Sequence, residues 1–505
     1  MADIPKRERR ARLVGAALAT AMFLAASAAF AEVSEPSEHP DAAFDFMNLL
    51  AHHGLHDLDD ELWNAYGQLT GITQLKLPFS VAYSHVNGSN HSLSTDEEFS
   101  FTGTATFFVG LGLWPGGEAY IVPEIIAERP LSGLTGLGST IQNFELQKTG
   151  GEAPAPYLSR VYLRQTVGFG GGTVDKASNP MQLGRKVDKR RLVLTAGNFS
   201  GLDFFDKNTY SGDLRQQFFN MAFLTYAAYD FAADARGYAW GAMAELYWDD
   251  WAFRIGRMTP PHDPNQLPID FRITKYYGDQ AEVEHEHRLF GRPGAVRVLG
   301  YRNRENMGRF ADAIAALAAN PADNSANCPP TSATSFQYTN LDGSPSSTNA
   351  AAPDVCFVRK PNIKLGIGIN LEQEIVDDVG VFFRGMYSDG QTEVYSFTST
   401  DRSISLGVMG RGTTWHRGND RAGIGYGEGW ISKEHAAYLG LGGIDGFIGD
   451  GKLTQAAEHV FEVFYSLNVA SPLWVSLDYQ HIWNPAYNAD RGPVDIVGAR
   501  VHAEF

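Results

Sequence analysis

Beyond its first 31 residues the chain has no stretch approaching the ~20 apolar residues that a transmembrane helix needs. If it enters a bilayer, it does so as strands. Cysteine is almost missing: the chain has 2, Cys328 and Cys356. They lie in a region rich in Pro, Asn, Ser, Thr and Ala, and an exported chain meets an oxidising periplasm, so a disulfide closing this loop is expected. Such a bond restrains a surface loop and does not build a core. Basic residues are in deficit, 41 against 58 acidic, for a net charge of -17, which argues against nucleic acid and other polyanions as partners. No Pro/Ser-rich linker divides the chain into compositional blocks, so one continuous architecture is simpler than several soluble domains. Gly-x-Ser-x-Gly is absent, and Gly168-Phe169-Gly170-Gly171-Gly172 lacks the Lys and Ser or Thr of a phosphate loop.

What the chain does have begins with a leader. Lys6, Arg7, Arg9, Arg10 and Arg12 precede an Ala-rich apolar stretch over 13–30, and Ala29-Phe30-Ala31 fits a small-x-small cleavage site. Residues 1–31 therefore read as a secretory signal peptide, 32–60 as a periplasmic segment with a short helix over 42–50, and 61–505 as the main domain. His52-His53-Gly54 ends the helix.

From Trp63 onward the hydrophobic period is two. Leu69, Gly71, Thr73 and Leu75 alternate with Gln68, Thr70, Ile72, Gln74 and Lys76. Phe101, Gly103, Ala105, Phe107, Val109, Leu111 and Leu113 oppose Thr102, Thr104 and Thr106. After Trp114-Pro115-Gly116-Gly117, Ala119, Ile121 and Ile125 oppose Glu118, Tyr120 and Glu124. The chain closes on the same design, with Val497, Ala499, Val501, Ala503 and Phe505 on one face and Arg500, His502 and Glu504 on the other. In an outer-membrane barrel the apolar face meets lipid and the charged face lines water. The expected fold is all-β, a transmembrane antiparallel barrel of about 16 strands, with 18 possible.

Connections are unequal. Trp114 to Gly117, Trp248-Asp249-Asp250-Trp251 and Ala470-Ser471-Pro472 are tight, whereas 302–361 and 481–493 are long. Bacterial barrels keep periplasmic turns short and extracellular loops long, which makes the tight set periplasmic. Within 302–361, Phe310, Ile314 and Leu317 share a helical face, on the rim or in the mouth. Trp114, Trp248, Trp251 and Trp474 flank turns, as an interfacial girdle would.

Several loops carry more specific motifs: Asp203-Phe204-Phe205-Asp206-Lys207-Asn208 with Gln216-Gln217-Phe218-Phe219-Asn220; the Gly- and Asp-rich stretch 442–451; and Asp478-Tyr479-Gln480-His481 leading to Asn484-Pro485-Ala486-Tyr487-Asn488-Ala489-Asp490-Arg491-Gly492-Pro493. With the closing Arg500-Val501-His502-Ala503-Glu504-Phe505, these resemble the OprB-type carbohydrate-selective porin family. The resemblance implies a 16-stranded channel passing small sugars passively across the bacterial outer membrane, with arginines at its constriction.

Strand parity assigns Glu118, Glu124, Arg160, Tyr162, Arg164, Glu245, Arg254, Arg384, Asp478 and Gln480 to the lumen, with Arg160 and Arg164 as the expected constriction pair. Opposed Arg and Glu supply donors and acceptors along which a sugar slides without one tight site. Glu284-His285-Glu286-His287 has a metal-compatible spacing, but parity separates its histidines from its glutamates, and no metal or cofactor is expected. Alternatives are a general or anion-preferring porin, a barrel-borne lipid-modifying enzyme, and a structural or adhesive barrel. Expected partners are small carbohydrates, outer-membrane lipid and lipopolysaccharide, the barrel assembly machinery and, in a homotrimer, further copies of the chain.

Overall fold

The computed structural model describes residues 45–83, 86, 91–146, 151–320 and 351–505. The leader and Cys328 lie outside them. The barrel strands are β1 (Trp63–Lys76), β2 (Glu98–Trp114), β3 (Gly117–Arg129), β4 (Ala155–Gly168), β7 (Arg191–Phe199), β8 (Ala239–Trp248), β9 (Trp251–Met258), β10 (Tyr277–Leu289), β11 (Arg292–Met307), β12 (Lys360–Val376), β13 (Val379–Ser388), β14 (Arg402–Gly412), β15 (Arg417–Trp430), β16 (Glu458–Ala470), β17 (Leu473–Trp483) and β18 (Val494–Glu504). Among the described residues these sixteen close into one antiparallel barrel, and β5 (Thr173–Lys176) and β6 (Arg185–Asp188) form a separate ribbon.

Closure follows from the bilayer: hydrocarbon offers no hydrogen-bonding partner, so a sheet edge inside it must pair. Here β1 pairs with β18, Leu69 facing Ala503 and Thr70 facing His502. Gly67 and Phe505 exchange backbone hydrogen bonds of 2.7 and 2.9 Å just past the last paired residues. Arg500, His502 and Glu504 are buried inward while Val497 and Phe505 are exposed outward. The threonines of β2 likewise point inward and Phe107, Val109, Leu111 and Leu113 outward. Lipid contact, not a dry core, is what those apolar side chains serve.

The turns at 115–116, 249–250, 290–291, 377–378 and 471–472 share the barrel end of Phe505, which is thus the periplasmic end. One connection departs from that pattern. Residues 169–190 are long on the periplasmic side and fold back inward: Leu183 is fully buried, its N–H donates to Tyr120, and the Met181 carbonyl accepts from Arg164. The helix α1 (Asp45–His52) covers the same mouth. Its Met47 packs with the inward Tyr66, Phe108 and Val122.

On the extracellular side, β11 runs on to Met307 and β12 starts at Lys360, so the stretch 302–361 is less of a loop than its composition suggested. A one-turn helix, α2 (Met221–Leu224), lies in the 200–238 connection. The predicted helix is α3 (Phe310–Ala319), with Phe310 buried and Ile314 half-buried. It packs on α4 (Lys433–Gly440), Phe310 stacking on His435 at 4.3 Å. Cys356 nearby is disulfide-bonded.

Trp114, Trp248 and Trp251 stand outward beside turns, as a girdle requires. Trp474 does not. It occupies an inward position of β17, buried, with its indole N–H donating to the Asn419 carbonyl at 3.1 Å. Its place in the strand alternation, not its nearness to a turn, decides which way it faces.

Candidate functional site

Past Phe199 the chain turns into the barrel. Ser200 accepts from the Leu202 N–H while Asp203 accepts from the Ser200 N–H, a capping box that fixes the entry of residues 200–238. Phe218 then packs on Phe464 at 4.9 Å and Phe382 at 5.5 Å. Glycines make the room: a Cβ at Gly423 would lie 2.9 Å from the Phe218 ring, and one at Gly425 2.7 Å from that of Phe223.

Wall residues satisfy this inward loop's backbone, as buried peptide groups require. Arg384 donates to the carbonyls of Phe223 (2.9 Å), Asp206 (3.3 Å) and Ser211 (2.5 Å) and to the Asp206 carboxylate at 2.9 Å. Arg500 donates to the carbonyls of Leu214 and Gln217, each at 2.8 Å. Glu462 accepts from the N–H groups of Phe219 and Asn220. Gln480 accepts from the Asn220 amide at 2.9 Å and donates to Asp478 at 2.8 Å. Arg384, Asp478 and Gln480 therefore face inward, as alternation requires, yet they are sealed beneath the loop, which Arg384 and Gln480 hold directly and Asp478 supports through Gln480.

Between the loop and β1 to β4 lies a cavity of about 270 Å³. Arg160 grips Asp203 through two hydrogen bonds of 2.7 Å and sits 5.1 Å from the Tyr238 ring centre. Burial alone would raise the Asp203 carboxyl, but the Arg160 guanidinium holds it below the usual carboxylate range. Glu124 accepts from Thr106 at 2.6 Å and from the Tyr157 hydroxyl. Arg215 reaches Glu145 at 3.2 Å and Glu124 at 3.8 Å, and Arg236 stacks 4.3 Å over Tyr157. Lys207 completes the charged lining. Among the described residues neither Lys207 nor Arg236 has a carboxylate within 4.0 Å, and they bring the lining to four cations, with Arg160 and Arg215, against the three carboxylates Glu124, Glu145 and Asp203. Gln68, Thr106, Asn143 and Ser200 add polar groups, and the rest of the lining is chiefly apolar, with Leu134, Ile141, Phe144, Leu146, Met221 and Leu224.

The expected constriction pair is split. Arg160 lines the cavity; Arg164 lies toward the periplasm, 3.6 Å from Glu118 and 5.0 and 5.5 Å from the rings of Tyr120 and Tyr162, with its Nη1 donating to Met181. Glu245 and Arg254 belong to a ladder along the inner wall. Arg254 bridges Glu245 (3.4 Å), Glu282 (2.8 Å) and Glu284 (3.1 Å), and Arg297 carries it on to Glu372.

Lys207, Arg215, Arg236 and Tyr238 went unassigned because parity speaks only for wall strands. Tyr157 is hidden for another reason: a register shift opposite Val122 and Pro123 lets Tyr157 and Arg160 both point inward although their separation is odd. On the outer wall, His285 stacks on Trp251 at 4.3 Å and His287 bonds Gln373 at 3.1 Å. Asp445 and Asp450 of the Gly-rich loop are committed to His435 and to Ser92, Asn488 and Arg491.

The family model described as "Carbohydrate-selective porin, OprB family" matches residues 90–505. Among solved structures, the high-pH form of Pseudomonas putida OprB has a TM-score of 0.61 at 14% identity, covering 88% of this chain and 94% of its own. The low-pH form gives 0.47 at 12% identity, covering 94% and 100%. The outer-membrane channel DcaP of Acinetobacter baumannii gives 0.46 at 9%, covering 88% and 97%. No curated protein matches the chain.

Proposed function

Because the chain belongs to the OprB family of carbohydrate-selective porins, an outer-membrane channel family, we propose that the cavity bounded by Arg160, Asp203, Glu124, Arg215 and Tyr238 is where its sugars are selected. The observation that carries this is the division of one small space between charged groups and apolar side chains. Sugar hydroxyls exchange hydrogen bonds with the first, while the ring's C–H faces leave water against the second. At about 270 Å³ the space is below the ~300–1,000 Å³ of ordinary ligand pockets, which favours one small solute at a time. Passage needs binding weak enough to release, and Arg160 and Glu124 already satisfy one another's neighbourhood through Asp203, Thr106 and Tyr157.

Liposome swelling tests the reading. Wild type should pass a neutral hexose readily, Arg160→Ala should change its rate relative to a disaccharide, and Arg164→Ala should change it much less. Equal effects of the two substitutions would remove Arg160 from the selecting surface.

The lining's surplus of one cation, four against three carboxylates, favours a second preference, for anionic over cationic solutes of the same size. Reversal potentials under a salt gradient should show anion preference in wild type and its loss in Lys207→Gln with Arg236→Gln; cation preference in wild type would end this reading. We also assign the bond partner of Cys356 to Cys328, the chain's other cysteine.

A further inference from the structure

The outer wall is not uniformly apolar. On β2 the outward side chains stay apolar or small from Phe101 to Leu113, about 40 Å of strand and roughly 30 Å upright at a tilt near 40°. On β9 the outward run is Trp251, Phe253 and Ile255, and Arg257 ends it, roughly 15 Å above the tryptophan girdle by the same geometry. Asp279 on β10 stands opposite both Arg257 and Arg302 of β11. Arg257 holds it at 2.6 and 2.8 Å. The Tyr277 ring has Arg257 4.0 Å and Arg302 5.6 Å from its centre. Arg304, the next outward residue, donates to the Lys275 carbonyl at 2.7 Å. Among the described residues, Arg302, Arg304 and Lys275 have no carboxylate within 4.0 Å; in this group only Arg257 is paired.

On the periplasmic side of this basic group the wall is recessed. Small outward residues, Ala242, Ala244, Ala281 and Gly300, stand between Ile255 and Ile367 and leave an open groove of about 1110 Å³. Elsewhere on the same rim the outward carboxylates Glu428 and Asp495 each have a histidine partner, His459 at 3.5 Å and His481 at 2.6 Å, and Arg402 lies over the Tyr387 ring. The cluster of cations at Arg302, Arg304 and Lys275 lies on a chain of net charge -17.

We propose that this sector docks one phosphorylated glycolipid of the outer leaflet, its phosphate on Arg302, Arg304 and Lys275 and an acyl chain in the groove. Guanidinium forks match phosphate oxygens bidentately, and a basic cluster at the membrane surface recruits anionic head groups. The order of the two halves fits: Arg302 and Arg304 lie nearer the extracellular end of β11 than Gly300 does. An outer-leaflet lipid places its charge above its chains, as this surface does; an inner-leaflet lipid would need the reverse. In a second copy of the chain the outward rim carboxylates Glu428 and Asp495 are single, on different strands, and each already has a histidine partner.

Native mass spectrometry of the full barrel in neutral detergent tests this with bisphosphorylated lipid A, the same lipid with its phosphates removed, and inorganic phosphate. One lipid A should remain bound to wild type, with at least tenfold weaker retention of the dephosphorylated lipid. Arg302→Gln, Arg304→Gln and Lys275→Gln together should remove that difference. Ala281→Leu, which fills the groove and spares the cations, should weaken lipid A alone. Heat-modifiable migration and unchanged sugar flux establish that each variant is folded. Equal retention of both lipids by wild type, undiminished retention by the triple variant, binding of inorganic phosphate as tight as that of lipid A, or loss of an oligomer in place of lipid would each overturn the proposal.

Discussion

Replacing Arg384 by Met removes the strongest tie between the wall and the inward loop. The guanidinium is 1% exposed and makes four contacts to residues 206–223. Asp206 keeps other partners, Asn370, Thr225 at 2.7 Å and the Tyr226 N–H at 3.2 Å, so it is not left bare. The carbonyls of Phe223 and Ser211 lose a charged donor. Removing one partner of a buried ion pair typically costs ~3–5 kcal/mol, and the surviving bonds to Asp206 place this case near ~3 kcal/mol. At ~1.4 kcal/mol per decade, the undocked loop population rises by about two orders of magnitude. The barrel should survive, since its ladder does not involve this side chain. Single-channel recording should then show larger and noisier conductance with unchanged heat-modifiable migration, while Arg190→Gln, which breaks only an exposed pair with Asp249, leaves conductance as in wild type. Quiet, wild-type conductance in Arg384→Met would refute the assignment of Arg384 as a loop anchor.

Closure offers a further check: the Phe505 ring lies where a Cβ on Gly67 would fall, 2.3 Å away, so Gly67→Val and deletion of Phe505 should both lower the folded, heat-modifiable fraction in outer membranes, and normal yields from both would contradict it. In the extracellular cap, His435 sits between Asp401 at 3.0 Å and Asp445 at 3.2 Å, with Lys364 acting on Asp401 and Glu393 coupled to Asp445. Burial opposes its charge, but the two carboxylates lift it from 6.5 to about 9. A raised folded value stabilises fully below 6.5 and is lost as pH rises through 9, an effect of roughly 3 kcal/mol. Hydrogen-exchange protection across 431–449, taken relative to intrinsic exchange rates, should fall over that window in wild type and show no such pH step in His435→Gln; flat wild-type protection would exclude this stabilisation.

Much of the wall was legible before any coordinates. A period of two assigns Thr102, Glu118, Arg160 and His502 to one face because a strand has no other way to alternate, and the aromatic turns set the membrane boundary. What alternation cannot convey is what later covers an inward residue. Arg164 and Arg384 have the right parity, yet one lies under 169–190 and the other under 200–238, and both coverings depend on long-range packing of loops with no period of their own. The capping box at Ser200 is a local signal for the inward turn, whereas nothing near Arg215 or Arg236 announces that Glu145 or Tyr157 will lie beside it. The one-residue irregularity in β4 inverts parity at Tyr157, and a strict alternation misreads it.

The periplasmic connection 169–190 and α1 narrow the barrel's lower mouth around Pro180 and Met181, which also line the cavity proposed to select sugars. A permeating solute thus meets two throttles in series, like resistors on one wire. Widening the upper one raises flux only until the lower one limits it, so selectivity and throughput answer to different stretches of chain and can be tuned apart.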